Sequence, residues 1–296
     1  MDVKNHNMNK EKPIMRKRFR IIAFLAFFLG IVIAVSQYFE FVSKTVYEES
    51  VSHLTEVFHQ SDNMLGELTH KNLMYLHMWS EYLQDAPSES KIRDYIDKAQ
   101  KDAGFLCFYF LSADGNYKMT TGETGYLGLQ ENIEDEIQKG NDIITNAAVP
   151  GKSQMLVFAS PKAHGSYQGF KYDAIAIAYE NADIVNVLDI SAFNGKAKSY
   201  VLHPDGRVVI DHSLESWGNV YNFFGILREH TDISEKEILE ISKKFKKGHT
   251  GAMLLNLDGK DYYLVYEKSG IQDWIFLGLV RADIDRKSTR LNSSHG

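Results

Sequence analysis

The chain has 296 residues, 44% hydrophobic and 24% charged, which leaves room for one or two ordinary cores and excludes wholesale disorder. Its net charge of −6 is unevenly placed: Lys4, Lys10, Lys12, Arg16, Lys17, Arg18 and Arg20 stand against Asp2 and Glu11 at the start, Arg286, Lys287 and Arg290 against Asp285 at the end, and the body between is acidic. An acidic body repels phosphate backbones and argues against nucleic acid as a partner, while the single Cys107 excludes an internal disulfide and reads as a small buried hydrophobe in a strand.

Residues 1–20 form a basic tail and 21–41 a predicted transmembrane helix. Ile21 to Val35 holds no polar or charged residue, and Tyr38, Phe39 and Phe41 carry the apolar stretch nearly to Val42. A bilayer core needs about 20 mostly apolar residues in helix. Basic residues precede the segment, and Glu40, Glu48 and Glu49 follow it. The positive-inside rule then predicts a cytoplasmic N-terminus and an extracytoplasmic remainder, in a single-pass protein of the cell membrane. A cleaved signal peptide is the rival reading, because Ala34-Val35-Ser36 offers small residues at a cleavage position. Hydrophobicity that runs on into a long helix favours an uncleaved anchor. Ala26, Gly30 and Ala34 recur every four residues, a face that lets two such helices approach closely in a homodimer.

Residues 42–84 predict one amphipathic stalk helix. Val42, Val46, Leu54, Val57, Met64, Leu65, Leu68, Leu76, Trp79 and Leu83 recur mostly at steps of three, four or their sums, with no proline before Pro87. About 40 helical residues span about 60 Å. A helix that long needs a partner along its length, either a second copy or the domains that follow. His53, His59, His70 and His77 lie on it, but none are spaced i, i+4 as a metal pair requires.

After Pro87 a helix is predicted over Ser90–Gln100. Residues 105–122 read as strand, turn and strand, with Asp114-Gly115-Asn116 in the turn. A helix over about Leu129–Lys139, strands over about Gln154–Ser160 and Tyr172–Tyr179, and a connector from Leu188 to Ser191 follow. A similar order then returns. Residues 198–212 are strand, turn and strand around Asp205-Gly206. Helices cover about Val220–Arg228 and Ser234–Phe245, the latter opening with Ser234 and Glu237 at capping-box spacing. A hairpin turns at Asp258-Gly259, and a last strand runs from Trp274 to Val280. Two successive units in one element order predict an α+β protein with two tandem antiparallel-sheet modules, residues 85–190 and 191–284.

A basic tail, one anchor, a long helix, paired strand–Asp-Gly–strand openings and the ending Asp273-Trp274-Ile275-Phe276-Leu277-Gly278-Leu279-Val280 resemble the extracytoplasmic double Cache sensor domain. The resemblance covers residues 21–284. It implies two PAS-like modules, a small-molecule ligand in the membrane-distal one (85–190), and a homodimer that signals through its helices. The output in that family is a histidine kinase, a diguanylate cyclase or a chemoreceptor. Its amino-acid-binding members use an arginine with clustered aromatics. This sequence departs from that, with no arginine between Arg93 and Arg207. A bidentate carboxylate clamp is therefore not expected. Lys118, Lys162 or Lys171 could pair with an anion, Asp173 could accept from an amine, and Tyr109, Tyr117 and Tyr172 could wall a pocket. The expected ligand set is Tyr109, Tyr117, Lys118, Tyr172 and Asp173.

No P-loop, no GxGxxG after a strand, no HExxH and no GxSxG occurs. His203, Asp205, Asp211 and His212 are close in sequence, yet Asp205 belongs to a turn and strand alternation parts Asp211 from His212. No catalytic residue, metal or cofactor is expected. The last residues, Asp285 to His295, resemble a translated sequencing adapter, so the parent protein is expected to continue into a second membrane helix and an output domain. The alternative is a membrane-tethered or secreted solute-binding or interaction protein without an output domain.

Overall fold

A computed structural model of the chain describes residues 8–85, 88–129, 133–148, 154–188, 197–212 and 222–282. The connector from Asp189 to Ser191, the predicted helix start at Val220 and the adapter-like segment 285–296 lie outside them. The chain divides into two compact units, residues 1–50 and 51–296.

The described residues of the first unit belong to helix α1 (Met8–Gln84), which contains both the predicted anchor and the predicted stalk. From Ala23 onward it is long and apolar enough to cross a membrane. Phe24, Leu25, Phe27, Phe28 and Leu29 are all exposed. A continuous apolar surface of this kind suits lipid rather than water. A Cβ added at Gly30 would meet nothing within 4 Å, and Ala26 and Ala34 are likewise exposed.

In the second unit, the end of α1 is followed by α2 (Glu89–Ala103), β1 (Cys107–Leu111), β2 (Asn116–Lys118), β3 (Thr124–Tyr126), β4 (Gly128–Leu129), α3 (Glu134–Lys139), β5 (Ile143–Ala148) and β6 (Met155–Ser160). Next come β7 (Gly165–Tyr167), β8 (Phe170–Tyr172), β9 (Ala174–Glu180) and α4 (Asn181–Leu188). The second module has β10 (Lys198–Leu202), β11 (Val208–His212), α5 (Phe223–His230), α6 (Glu235–Lys246), β12 (Gly251–Leu257), β13 (Lys260–Lys268) and β14 (Ile275–Arg281).

The first sheet runs β3-β2-β1-β9-β6-β5-β4 and the second β11-β10-β14-β13-β12. The five strands shared by both follow one permutation: second, first, fifth, fourth, third. The repeat seen in the sequence is therefore a repeat of topology. Its turns obey local chemistry. Asp258 and Gly259 have φ of 51° and 75°, the two left-handed residues that a tight hairpin needs. Ser234 and Glu237 form the expected reciprocal cap on α6. Asn222 caps α5 by accepting from the Phe224 N–H at 2.9 Å, so that helix starts at Phe223.

The helix predicted from Leu129 is shorter, because Leu129 pairs with Ala147 in the sheet and α3 begins only at Glu134. Strands β3, β4, β5, β7 and β8 and helix α4 were not expected.

The stalk stripe differs in composition from the predicted one. Its buried positions include Leu54, Phe58, Ser61, Leu65, Asn72, Leu76, Trp79 and Ser80, whereas Met64 is exposed. Small or hydrogen-bonded polar residues fit this face. The Ser61 and Ser80 hydroxyls donate back to the carbonyls of Val57 and Leu76. Asn72 Oδ1 accepts from the Tyr179 hydroxyl at 2.8 Å. The partner along this face is supplied by the domains that follow. Trp79 meets Phe105 and Phe108 edge-on against the first sheet. Phe58 stacks on Phe276 of the second, 5.9 Å between ring centroids. The Asp62 carboxylate accepts from Ser269 Oγ and from the Gly270 N–H.

Glu267 sits beside that clasp. Its Oε2 is buried without a hydrogen-bond partner among the described residues. Burial raises its carboxyl above the usual range; His59 opposes the shift and Asp62 adds to it. The unfolded chain gives up this proton at lower pH than the folded one. The fold is therefore penalised as pH rises through the carboxylate range, and the penalty persists above the folded pKa. E267Q is expected to raise the thermal midpoint at neutral pH, by an amount that shrinks on acidification. Melting curves of both proteins across that range check it.

Candidate functional site

Each sheet turns one face to α1, and the opposite faces differ. In the second module that face carries Tyr200, Leu202, Leu264, Ile275, Leu277 and Leu279. Helices α5 and α6 fill the space above it with Phe223, Phe224, Ile238, Ile241 and Phe245. In the first module the corresponding face carries Ala147, Ala159, Ala174, Ala176 and Ala178 among larger neighbours. On the fifth strand of the permutation, three alanines stand where the second module has Ile275, Leu277 and Leu279. The cover is thin as well: α3 has no buried residue, and Leu127 and Ile133 reach down instead. These alanines are buried, so the face is a floor lined by small side chains under a slight lid.

Tyr109 and Tyr117 stand on this floor, 4.7 Å between ring centroids and edge to face. Tyr117 lies across Gly125, its cross-strand partner on β3. A Cβ there would come within 2.7 Å of its hydroxyl, so glycine permits the ring's position. Burial raises the Tyr109 hydroxyl well above the ordinary phenol range, and a hydrogen bond with Cys107 adds to this. Burial also raises Tyr117, with the Glu123 carboxylate as the second cause. Both hydroxyls thus remain protonated at neutral pH and can donate. An apolar floor, two phenols and one carboxylate can hold a small molecule with an apolar body and a polar end. An open groove of 750 Å³ adjoins Tyr117, lined also by Asp114, Tyr126 and Lys171.

The other three expected ligand residues lie elsewhere. Tyr172 is on the face toward α1, with its ring 4.9 Å from Phe110. Lys118 points to that same side and donates to the Gln168 carbonyl at 3.0 Å. Asp173 is exposed and accepts from the Ala113 N–H at 2.9 Å, which secures the turn after β1. Arg93 donates to the Thr120 carbonyl at 3.2 Å, beside Tyr167 and away from the alanine floor. The structure thus brings Tyr109 and Tyr117 together and separates them from Lys118, Tyr172 and Asp173. The alanine floor was missed. Its signal was the alternation Ala-Ile-Ala-Ile-Ala over 174–178, small on one face and large on the other.

The two modules are joined by side-chain amides. Asn181 exchanges two hydrogen bonds with the Asp211 backbone, at 2.8 and 3.2 Å. Asn146 Nδ2 donates to the Val208 carbonyl at 2.8 Å. Both reach β11 of the second sheet. Among the described residues, no three His, Cys, Asp or Glu side chains are grouped to hold a metal ion.

The architecture matches solved structures. One is the extracellular domain of mmHK1S-Z3, described as a histidine kinase: 13% identity, TM-score 0.57, covering 83% of this chain and 98% of that one. Another is methyl-accepting chemotaxis protein X, at 12% identity and TM-score 0.53, with 81% and 99% covered. The ligand-binding domain of Campylobacter jejuni chemoreceptor Tlp3, solved with 4-methylisoleucine, matches at 10% identity and TM-score 0.50, with 82% and 94% covered. The chain has the double Cache fold. No family model matches it, and no curated protein matches its sequence. Two like modules threaded on one N-terminal helix are what the double Cache fold consists of here, and the alanine-floored module is the first of them.

Proposed function

We propose that the chain is the input region of a membrane-anchored signalling protein, and that its first module, residues 85–190, binds a small molecule. The observation that carries this is the contrast between the two modules. One permutation of strands is packed solid by α5 and α6 in the module at 191–284, and is left with an alanine floor under α3 in the other. Tyr109 and Tyr117 are the polar contacts of the ligand, and Glu123 stands at the margin of the site. Lys118, Tyr172 and Asp173 serve the module's framework. The apolar part of α1 anchors the chain in the bilayer, with the basic tail on the cytoplasmic side. Ala26, Gly30 and Ala34 face a second copy. The output is a histidine kinase or a diguanylate cyclase.

A ligand acts by favouring one of two arrangements of the first module. Asn146 and Asn181 hand the change to β11, and α1 carries it toward the membrane. The test is a thermal-shift screen of the full chain in detergent with amino acids, organic acids, amines, purines and sugars. A compound at about 100 times its dissociation constant stabilises by about 2.7 kcal/mol. A176L fills the floor and is expected to abolish that shift, and Y117F to weaken it. Absence of a shift with every compound, or a shift that survives A176L intact, would refute the site.

A further inference from the structure

A second cluster lies on the other face of the first sheet, where α1 passes the ends of β5 and β6. His77 Nε2 is 2.8 Å from Asp142 Oδ2, and Lys162 Nζ is 3.2 Å from His77 Nδ1. Ser160 Oγ donates to the second Asp142 oxygen at 2.7 Å. Asp142 immediately precedes β5, and Lys162 follows β6 by two residues. His77 and Asp142 are 32% and 24% exposed, so water and protons reach both.

An ammonium has protons to give and no lone pair. Nδ1 must therefore be the bare nitrogen, with the ring proton on Nε2 given to Asp142. This arrangement exists only while His77 is neutral. A proton arriving at Nδ1 takes the lone pair that Lys162 uses and leaves two cations face to face. Lys162 is on an exposed turn, and nothing encloses it there. It swings away, while the Asp142 contact becomes charge-assisted and persists. The charged groups facing the ring are Asp142 and Lys162 from the sheet side, with Glu81 one turn further along α1. We propose that this cluster is a second input site whose ligand is the proton, which competes with the Lys162 ammonium for His77 Nδ1. The contact is present while the ring is neutral and is lost when Nδ1 takes a proton. The Gln84 amide, 3.5 Å from the Lys162 carbonyl, still joins the end of α1 to that turn.

The site is independent of the ligand pocket, and its test needs no ligand. Full-length protein in detergent micelles, labelled in its histidine rings, is titrated by NMR, with the His77 signal assigned by its absence in H77Q. K162Q is expected to raise the His77 midpoint, and D142N to lower it. Glutamine at 77 offers an N–H to Asp142 and a carbonyl to Lys162 without titrating. Hydrogen exchange over residues 76–84, corrected for its intrinsic pH dependence, is expected to quicken about five-fold on acidification in the wild type and to stay level in H77Q. An unchanged His77 midpoint in K162Q, or equal acid responses in wild type and H77Q, overturns the proposal.

Discussion

Replacing Phe58 with alanine is expected to cost about 3–5 kcal/mol of folding stability. The side chain is 1% exposed, stacks on Phe276 and lies over Gly278. Glycine has no side chain that could relax into the space vacated, so the cavity persists. The reverse change is informative. A Cβ on Gly278 would sit 2.6 Å from Phe58 Cζ and 3.1 Å from Leu54 Cδ2, so G278A alone overpacks the seat. In the F58A background the same methyl fills part of the hole. The double variant should therefore be more stable than the two single losses predict, by about 0.5–3 kcal/mol. Urea unfolding of the four proteins, followed by tryptophan fluorescence, measures the coupling. Simple additivity would show that the stalk does not rest on β14 in this way.

The second large effect is acid lability in the second module. His203 is buried edge-on against Trp274, 6.1 Å between ring centroids. Burial, and then the Arg207 charge, push its pKa from 6.5 down to about 4, and Asp205 offsets little of this. The folded protein keeps this ring neutral while the unfolded chain takes up a proton. Stability present above pH 6.5 is thus lost as pH falls toward 4. At about 1.4 kcal/mol per pH unit, the loss reaches about 3 kcal/mol. H203Q, which cannot titrate, should flatten that part of the stability–pH curve. Equal slopes for wild type and H203Q between those limits would defeat the assignment.

The sequence was legible where one residue type answers one local demand. Asp114-Gly115, Asp205-Gly206 and Asp258-Gly259 announce turns because glycine accepts positive φ. Ser234 and Glu237 announce a helix start because they satisfy two free N–H groups. Elements defined by distant partners were not legible. Gly128 and Leu129 form a strand only because Ala148 and Ala147 lie beside them. The β7–β8 hairpin turns at Gln168-Gly169, with φ of 47° and 75°, and glutamine is not a residue that signals this conformation. The stalk stripe hid Ser61, Asn72 and Ser80, since a small or hydrogen-bonded polar residue packs like an apolar one and scans as polar. Of the site, the aromatic character of Tyr109 and Tyr117 was visible. That Lys118 and Tyr172 lie on the other face was not visible, because neighbours on a strand face opposite ways and the sheet's faces are not labelled in the sequence.

Trp79 and Phe58 are seated on different sheets but belong to one helix, 21 positions apart. At 1.5 Å per residue that is about 30 Å of stiff rod. A shaft gripped at two points behaves as a lever: pivoting by about four degrees at one grip moves the other by about 2 Å over that length. A slight pivot at Trp79 would thus reach Phe58 as a displacement against Phe276, and the second sheet must either yield or release it.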